Sequence, residues 1–175
     1  MFDVKLYDIK EVTMAERNAL EKIRQQWRRE RPDLDPTCMV VCGAIWRAGK
    51  RLNDGLKTNL DAYGLDFPAM DVLLTLRRNG IRAPMSPKNM AADMMLSTAA
   101  MTARLDRLEA RNLIVRLLNP ADRRALLIAL TVPGVSLIED MIDRHIAAER
   151  AMLSTLSGEE QEIIIALLSR VATTK

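Results

Sequence analysis

The segment from Ser86 to Leu130 constrains the fold most, because two short helical signals are followed at once by two strand signals. Ser86-Pro87 has the form of an N-cap and an N1 proline, opening a short helix through Met90, Ala91, Met94 and Met95. Ser97 can cap the next helix, whose Met101, Leu105 and Leu108 form an inward face while Thr98, Thr102, Ala103 and Asp106 point elsewhere. Two short helices joined by a tight turn make a helix-turn-helix candidate. Beyond Asn112, a residue type that tolerates the left-handed conformation of a helix C-cap, the runs Leu113–Leu118 and Ala125–Leu130 read as strands. Between them Asn119-Pro120-Ala121-Asp122-Arg123-Arg124 is turn-forming, which predicts a hairpin with a charged tip.

Helices flank this segment on both sides. Thr13-Met14-Ala15-Glu16 has capping-box spacing and leads into Leu20, Ile23 and Trp27, up to a break at Arg31-Pro32. Asp35-Pro36 then opens a long helix whose Ile45, Ala48, Leu52, Leu56, Leu60 and Tyr63 trace one face as far as Gly64. Asp66 caps a third helix ending at Asn79-Gly80. A polar connector leads to Ser86. After the hairpin, a long helix begins near Pro133, and Ser157-Gly158-Glu159-Glu160 caps a terminal helix through Ile163 to Val171.

Composition agrees with a mainly α protein. Only 3% of residues are aromatic, and Ala, Leu, Met and Arg outweigh the β-branched types. At 175 residues a single domain is expected, and 49% hydrophobic with 28% charged residues is ordinary globular usage. A net charge of +3 and a pI near 9.1 permit nucleic-acid binding without requiring it. No apolar run approaches the roughly 20 residues of a membrane span, and the N-terminus lacks a signal-peptide pattern, so no membrane partner and a cytoplasmic location are expected. Cys38 and Cys42 lie one helical turn apart, too few for a zinc site, and are expected to be buried thiols. No Gly-rich phosphate loop or Ser-His-Asp pattern accompanies the lone His145, a packed or solvated helix residue on this reading, so neither an enzyme nor a cofactor is expected.

The run Leu96-Ser97-Thr98-Ala99-Ala100-Met101-Thr102-Ala103-Arg104-Leu105-Asp106-Arg107-Leu108-Glu109 resembles the recognition helix of MarR-family regulators. Asn119 to Ala125, ending at Leu130-Thr131-Val132-Pro133-Gly134, is similar to that family's wing signature, and Leu153 to Glu160 to its closing segment. Asn112 stands where the family usually has Gly, and Ala103 where many relatives carry a polar residue. The resemblance implies one winged helix-turn-helix domain over 1–175, with a DNA-binding region at about 66–131 and dimerisation helices at 13–63 and 133–175.

It also implies a homodimeric repressor reading a palindromic operator in double-stranded DNA. The implied DNA-binding residues are Ser97, Thr98, Ala100, Thr102, Ala103, Arg104 and Arg107 on the helix, and Asp122, Arg123 and Arg124 on the wing. Thr98, Thr102 and Arg104 are the candidate base readers, and Arg104 and Arg107 could equally face phosphate. Arg124 resembles the family's minor-groove arginine, with Asp122 orienting it. The bland alternatives are solvated threonines, ion pairs of Arg104 or Arg107 with Asp106, Glu109 or Asp71, and a hairpin-tip pair that meets no DNA. The apolar surplus of Ile163, Ile164, Ile165, Leu167, Leu168 and Val171 wraps most of the terminal helix and predicts a partner subunit. The segment Ile23 to Arg29 is similar to the extra helix of the family's urate-responsive branch, which implies an effector site of Trp27, Asp71 and Arg104 for a small aromatic acid. A redox-sensing regulator using Cys38 or Cys42 is the first alternative, and a small helical enzyme the second.

Overall fold

A computed structural model describes residues 14–94, 101–122 and 124–173, and all structural statements concern these residues. Its elements are α1 (Met14–Glu30), α2 (Thr37–Ala62), α3 (Phe67–Asn79), α4 (Pro87–Asp93), α5 (Met101–Ala110), β1 (Ile114–Leu118), β2 (Leu126–Leu130), α6 (Val132–Met152) and α7 (Gly158–Thr173). This is the mainly α arrangement with a two-stranded wing that the hydrophobic periods predict. The described chain gathers into two compact units, one of residues up to Leu52 together with those from Met152, the other of Asn53–Ala151.

The caps explain the helix boundaries of the second unit. Asp66 accepts a hydrogen bond from the Ala69 N–H at 2.8 Å, and Gly80, at φ 113°, ends α3 where a side chain would be strained. Ser86 Oγ accepts from the Asn89 N–H at 3.2 Å and starts α4. Asn112 adopts φ 54° after α5, the left-handed conformation that an asparagine tolerates at a helix end. The core of this unit is built on α3, whose Met70, Val72 and Leu73 are fully buried, joined by Met90 of α4, Leu108 of α5, Ile114 and Ile128 of the strands, and Ile138 and Met141 of α6. Complete burial of such a side chain contributes about 1.5–3 kcal/mol.

The wing is an antiparallel pair in which Ile114 faces Leu130 and Leu118 faces Leu126. One feature lies in the segment read as a polar connector: Met85 exchanges two backbone hydrogen bonds with Ile128, at 2.9 and 2.8 Å, and stitches the strand edge to the start of α4. The junction of wing and α6 is tight. Thr131 Oγ1 donates to the Asn112 carbonyl at 2.5 Å and accepts from the Gly134 N–H at 3.0 Å. A Cβ on Gly134 would lie 1.9 Å from the Leu113 carbonyl oxygen, so the Leu-Thr…Gly pattern serves a close backbone approach.

In the first unit, Asp35 Oδ1 accepts from the Thr37 N–H at 3.1 Å and caps α2. Ser157 and Glu160 form a reciprocal capping box at α7, with bonds of 2.7 and 3.2 Å. Two expectations need correction. Ala48 and Leu52 of the predicted α2 stripe are exposed, and of that stripe only Leu56 and Leu60 are buried. Cys38 and Cys42, expected to be buried, are both exposed and free, because they occupy the side of α2 away from the buried Val40. The capping box expected at Thr13–Glu16 lies outside the described residues and side chains.

Candidate nucleic-acid interface

Helix α5 presents two distinct faces. Leu105 and Leu108 are buried and Met101 is half-buried, packing the helix towards α3 and β1, while Thr102, Ala103, Asp106 and Arg107 are exposed. The helical period produces this split, since steps of three and four residues return to the same face. Arg104 departs from the expected arrangement. It is only 7% exposed and sits on the flank of the packed face, so its guanidinium is not displayed with Thr102 as a base reader. Arg107 is displayed, with Nη2 3.6 Å from Asp66 Oδ2, a partner the sequence reading did not include. That pair is exposed on both sides, worth about 0–1 kcal/mol, and easily exchanged for a phosphate. Ser97, Thr98 and Ala100 lie outside the described residues, as does Arg123.

Sequence reasoning passed over the residue that joins α5 to the wing. Arg116 of β1 donates to Asp106 Oδ1 at 2.6 Å and to Glu109 Oε2, and its backbone N–H donates to Glu109 Oε1 at 3.2 Å. The hydrogen bond to Asp106 is the main reason its guanidinium is held further into the charged range than usual. Two carboxylates on α5, which would repel a phosphate backbone, are thereby neutralised and used to fix the wing's angle. Arg111 makes a second brace, donating to the Gly64 and Tyr63 carbonyls at 2.6 and 2.8 Å beyond the end of α2. Neither brace has a spacing signal in the sequence.

At the wing tip Asp122 and Arg124 are both exposed. Asn119 Oδ1 accepts from the Ala121 N–H and Asp122 Oδ1 from the Arg124 N–H, each at 3.0 Å, two Asx turns that shape the tip. Asp122 thus holds the Arg124 backbone N–H, not its guanidinium.

The expected effector residues are dispersed in character. Asp71 is fully buried on α3, Arg104 is buried on α5, and Trp27 on α1 is 38% exposed and belongs to the other unit. A cleft of about 460 Å³ beside the α2–α3 turn is lined by Asp54, Lys57, Asp61, Leu65, Asp66 and Phe67 among others, and by none of those three. Lys57 pairs with Asp61 at 2.7 Å, leaving an acidic lining that disfavours an organic anion. His145 is packed, with Nε2 3.2 Å from Glu149 Oε1. Among the described residues no group of three or more His, Cys, Asp or Glu could hold a metal ion, and no helix is long and apolar enough to cross a membrane.

The sequence profile of the MarR family matches residues 68–126, from the start of α3 to the start of β2. Over 158 residues the chain is 38% identical to the HTH-type transcriptional regulator PecS of Dickeya dadantii, covering 90% of this chain and 95% of that one. The chain belongs to the MarR family. A second relative, the regulator MhqR of Bacillus subtilis, is 31% identical over 71% of this MarR-family chain and 84% of its own. Among solved structures, BpsR of Bordetella bronchiseptica superposes with a TM-score of 0.69 at 25% identity, covering 77% of this chain and 94% of that one. That structure concerns regulation of BpsR's DNA binding by 6-hydroxynicotinic acid. The present MarR-family protein is accordingly a DNA-binding transcriptional regulator with a winged helix-turn-helix. The match places the exposed face of α5 and the wing in the region that names the family.

Proposed function

We propose that this regulator is a repressor that binds a palindromic operator as a homodimer, with the region about 66–131 on DNA and the helices at 13–63 and 133–175 at the two-fold interface. The observation that carries the reading is the exposure, on one unit, of Thr102, Ala103 and Arg107 on α5 and of Arg124 at the wing tip, with Arg116 fixing α5 to the strand. In this arrangement α5 enters the major groove, Thr102 meets base edges, and Arg107 exchanges Asp66 for phosphate. Ser97, Thr98, Ala100 and Arg123 belong to the same surface on the reading from sequence. Arg104 acts from within the fold, holding the inner side of the helix. Arg124 enters the adjacent minor groove, whose negative potential suits a guanidinium. Regulators of this kind act on DNA inside the cell, so the cytoplasm is the proposed location and no catalysis is assigned.

The homodimer rests on α7. Ile163, Ile164, Ile165, Leu167, Leu168 and Val171 are all exposed on the single chain, more apolar surface than a soluble helix leaves to water. A palindromic operator read by two α5 helices has half-sites about one DNA turn, roughly 34–36 Å, apart. Selection of bound sequences from a random DNA pool tests the reading. It is supported by an inverted repeat with half-sites about 10 base pairs apart, and overturned by a single asymmetric site or by no enrichment.

For an effector, the reading from sequence is a small aromatic acid at Trp27, Asp71 and Arg104, near the family's urate-responsive branch. BpsR's response to 6-hydroxynicotinic acid supports that chemical class for this chain. Buried Asp71 and Arg104 bring opposite charges to packed elements of the DNA-binding unit, where an acid's carboxylate could compete for the guanidinium. Operator titration across urate, salicylate, 6-hydroxynicotinate and phenols tests it; no change in affinity with any of them removes the proposal.

A further inference from the structure

Leu118 and Leu126 are the last directly opposed pair of the wing ladder, and both are exposed, Leu118 at 67%. One step further out, the Asn119 N–H donates to the Ala125 carbonyl at 3.0 Å. Hydrogen-bonded and non-bonded pairs alternate along an antiparallel ladder, so Leu118 and Leu126 are a non-bonded pair, with Cα atoms about 4.5 Å apart and side chains close together. They make one apolar shoulder behind the tip that carries Arg124.

Arg116 sets the direction of this shoulder. Alternate residues of a strand share a face, so Leu118 lies on the side from which Arg116 reaches Asp106 and Glu109 of α5. Ile114 and Ile128 are buried on that side, whereas Leu118, about 7 Å beyond Arg116, is exposed. The shoulder therefore borders the space between the displayed face of α5 and the wing tip. Strand β2 is bonded on both sides, to β1 and to Met85, so among the described residues β1 is the open edge. Such an edge ordinarily carries charge as a guard against pairing with other chains. Here its outer end is leucine.

We propose that Leu118 and Leu126 pack on the deoxyribose of the DNA strand that runs between the grooves entered by α5 and by Arg124. The sugar C–H groups are the apolar part of that backbone, and a shoulder behind the tip meets them once the guanidinium is in the minor groove. The contact displaces no counterion and reads no base, so it strengthens binding to operator and to random DNA alike. This inference rests on the reading that the wing enters the minor groove.

The test uses full-length protein and the operator recovered from a random DNA pool, with Leu118→Ser and Leu126→Ser made singly and together. Each single variant should bind about 10-fold more weakly, a factor set by partial burial of one leucine on each of two wings. The salt slope should stay that of the parent, and the heat-capacity change of binding should become less negative. Hydroxyl-radical cleavage, which attacks deoxyribose, should regain access to the sugars beside the wing. Leu118→Met should bind as the parent does, and so should Leu117→Ser, on the opposite face of β1. Parental affinity in the double variant would overturn the proposal. So would a flattened salt slope, which would mean that the leucines only position Arg124, or a loss in Leu117→Ser equal to that in Leu118→Ser. Assemblies larger than a dimer that the serine variants dissolve would assign the shoulder to a second copy instead. If Arg124→Ala binds as the parent does, the wing reading falls and the shoulder with it, whereas the expected Arg124 effect beside parental leucine variants removes the shoulder alone.

Discussion

Asp122 accepts, on its carboxylate, the backbone N–H of Arg124 at 3.0 Å, so the acid sets the backbone from which the wing-tip guanidinium departs. Arg124→Ala should therefore weaken operator binding while changing stability by no more than about 0.5 kcal/mol, as exposed substitutions do. Each lost phosphate-neutralising cation removes about 0.9 from the slope of log affinity against log salt, or roughly 1.8 for a dimer. Asp122→Ala should lower affinity too, by loosening the turn, yet keep the parent's salt slope. Salt titrations of both variants check this, and parental binding by Arg124→Ala at every salt concentration would remove the wing from the interface.

Arg116 is a positioning residue whose effect should appear without contact to DNA. Arg116→Ala frees Asp106 and Glu109 on the side of α5 that faces the duplex in the proposed complex, and unties the wing from the helix. Stability should fall by about 1 kcal/mol, because Asp106 is largely solvated. Operator affinity should fall further than that, and adding Asp106→Asn should recover part of it by removing a repulsive charge. No recovery in the double variant would mean that Arg116 acts only through the strand's own stability.

Much of this molecule was legible in the order of its residues, for reasons that are local. Asp66, Ser86 and Ser157 each sit where a helix needs its first N–H groups satisfied, and each does so. The wing was legible because two apolar runs flank a segment rich in turn formers. Arg104 was misplaced because it lies at the edge of the apolar arc, where the helical period cannot say whether a long side chain turns in or out. The partners of Arg116 depend on how β1 sets against α5, a long-range fact with no spacing rule. The Met85–Ile128 pairing was hidden because one bridge leaves no alternating pattern. Cys38 and Cys42 were misjudged because average burial of a residue type says nothing about its face on a particular helix.

Gly134 supplies a test of the wing's seat. Gly134→Ala would drive a methyl group into the Leu113 carbonyl, against backbone that cannot swing aside. Overpacking of this kind costs about 1–3 kcal/mol or more. Thermal unfolding followed by circular dichroism should show a clearly lowered Tm, whereas Gly158→Ala, with nothing within 4 Å of its Cβ, should not. Equal midpoints for the two variants would contradict the close approach.

Tyr63 donates to Asp140 Oδ2 at 2.8 Å, and that hydrogen bond is the main cause raising its phenol above the ordinary value near 10. The protonated phenol is the bonded form, so its contribution is complete below the unfolded value and is lost as pH rises through the folded one. In a Tyr7→Phe background, tyrosinate absorbance should report a single midpoint above 10. Asp140→Asn should move it downward. A midpoint insensitive to residue 140 would exclude the bond between α6 and the end of α2.

The dimer can be tested at Leu168, in the middle of the exposed apolar surface of α7. An arginine there is tolerated by a free helix face, which already has the solvent a guanidinium needs, but leaves a charge unpaired if a partner's apolar face covers the site. Leu168→Arg should therefore give a monomeric mass in light scattering at micromolar concentration, with the DNA-binding unit still folded by circular dichroism. Its effect on DNA follows from valency. A dimer engages its second half-site at the effective concentration set by the first, which raises overall affinity by about 10²–10⁴ over one half-site. The monomer should lose that factor on the full operator and bind an isolated half-site as the parent does. A variant that remains dimeric and keeps full operator affinity would place the two-fold interface elsewhere on the chain.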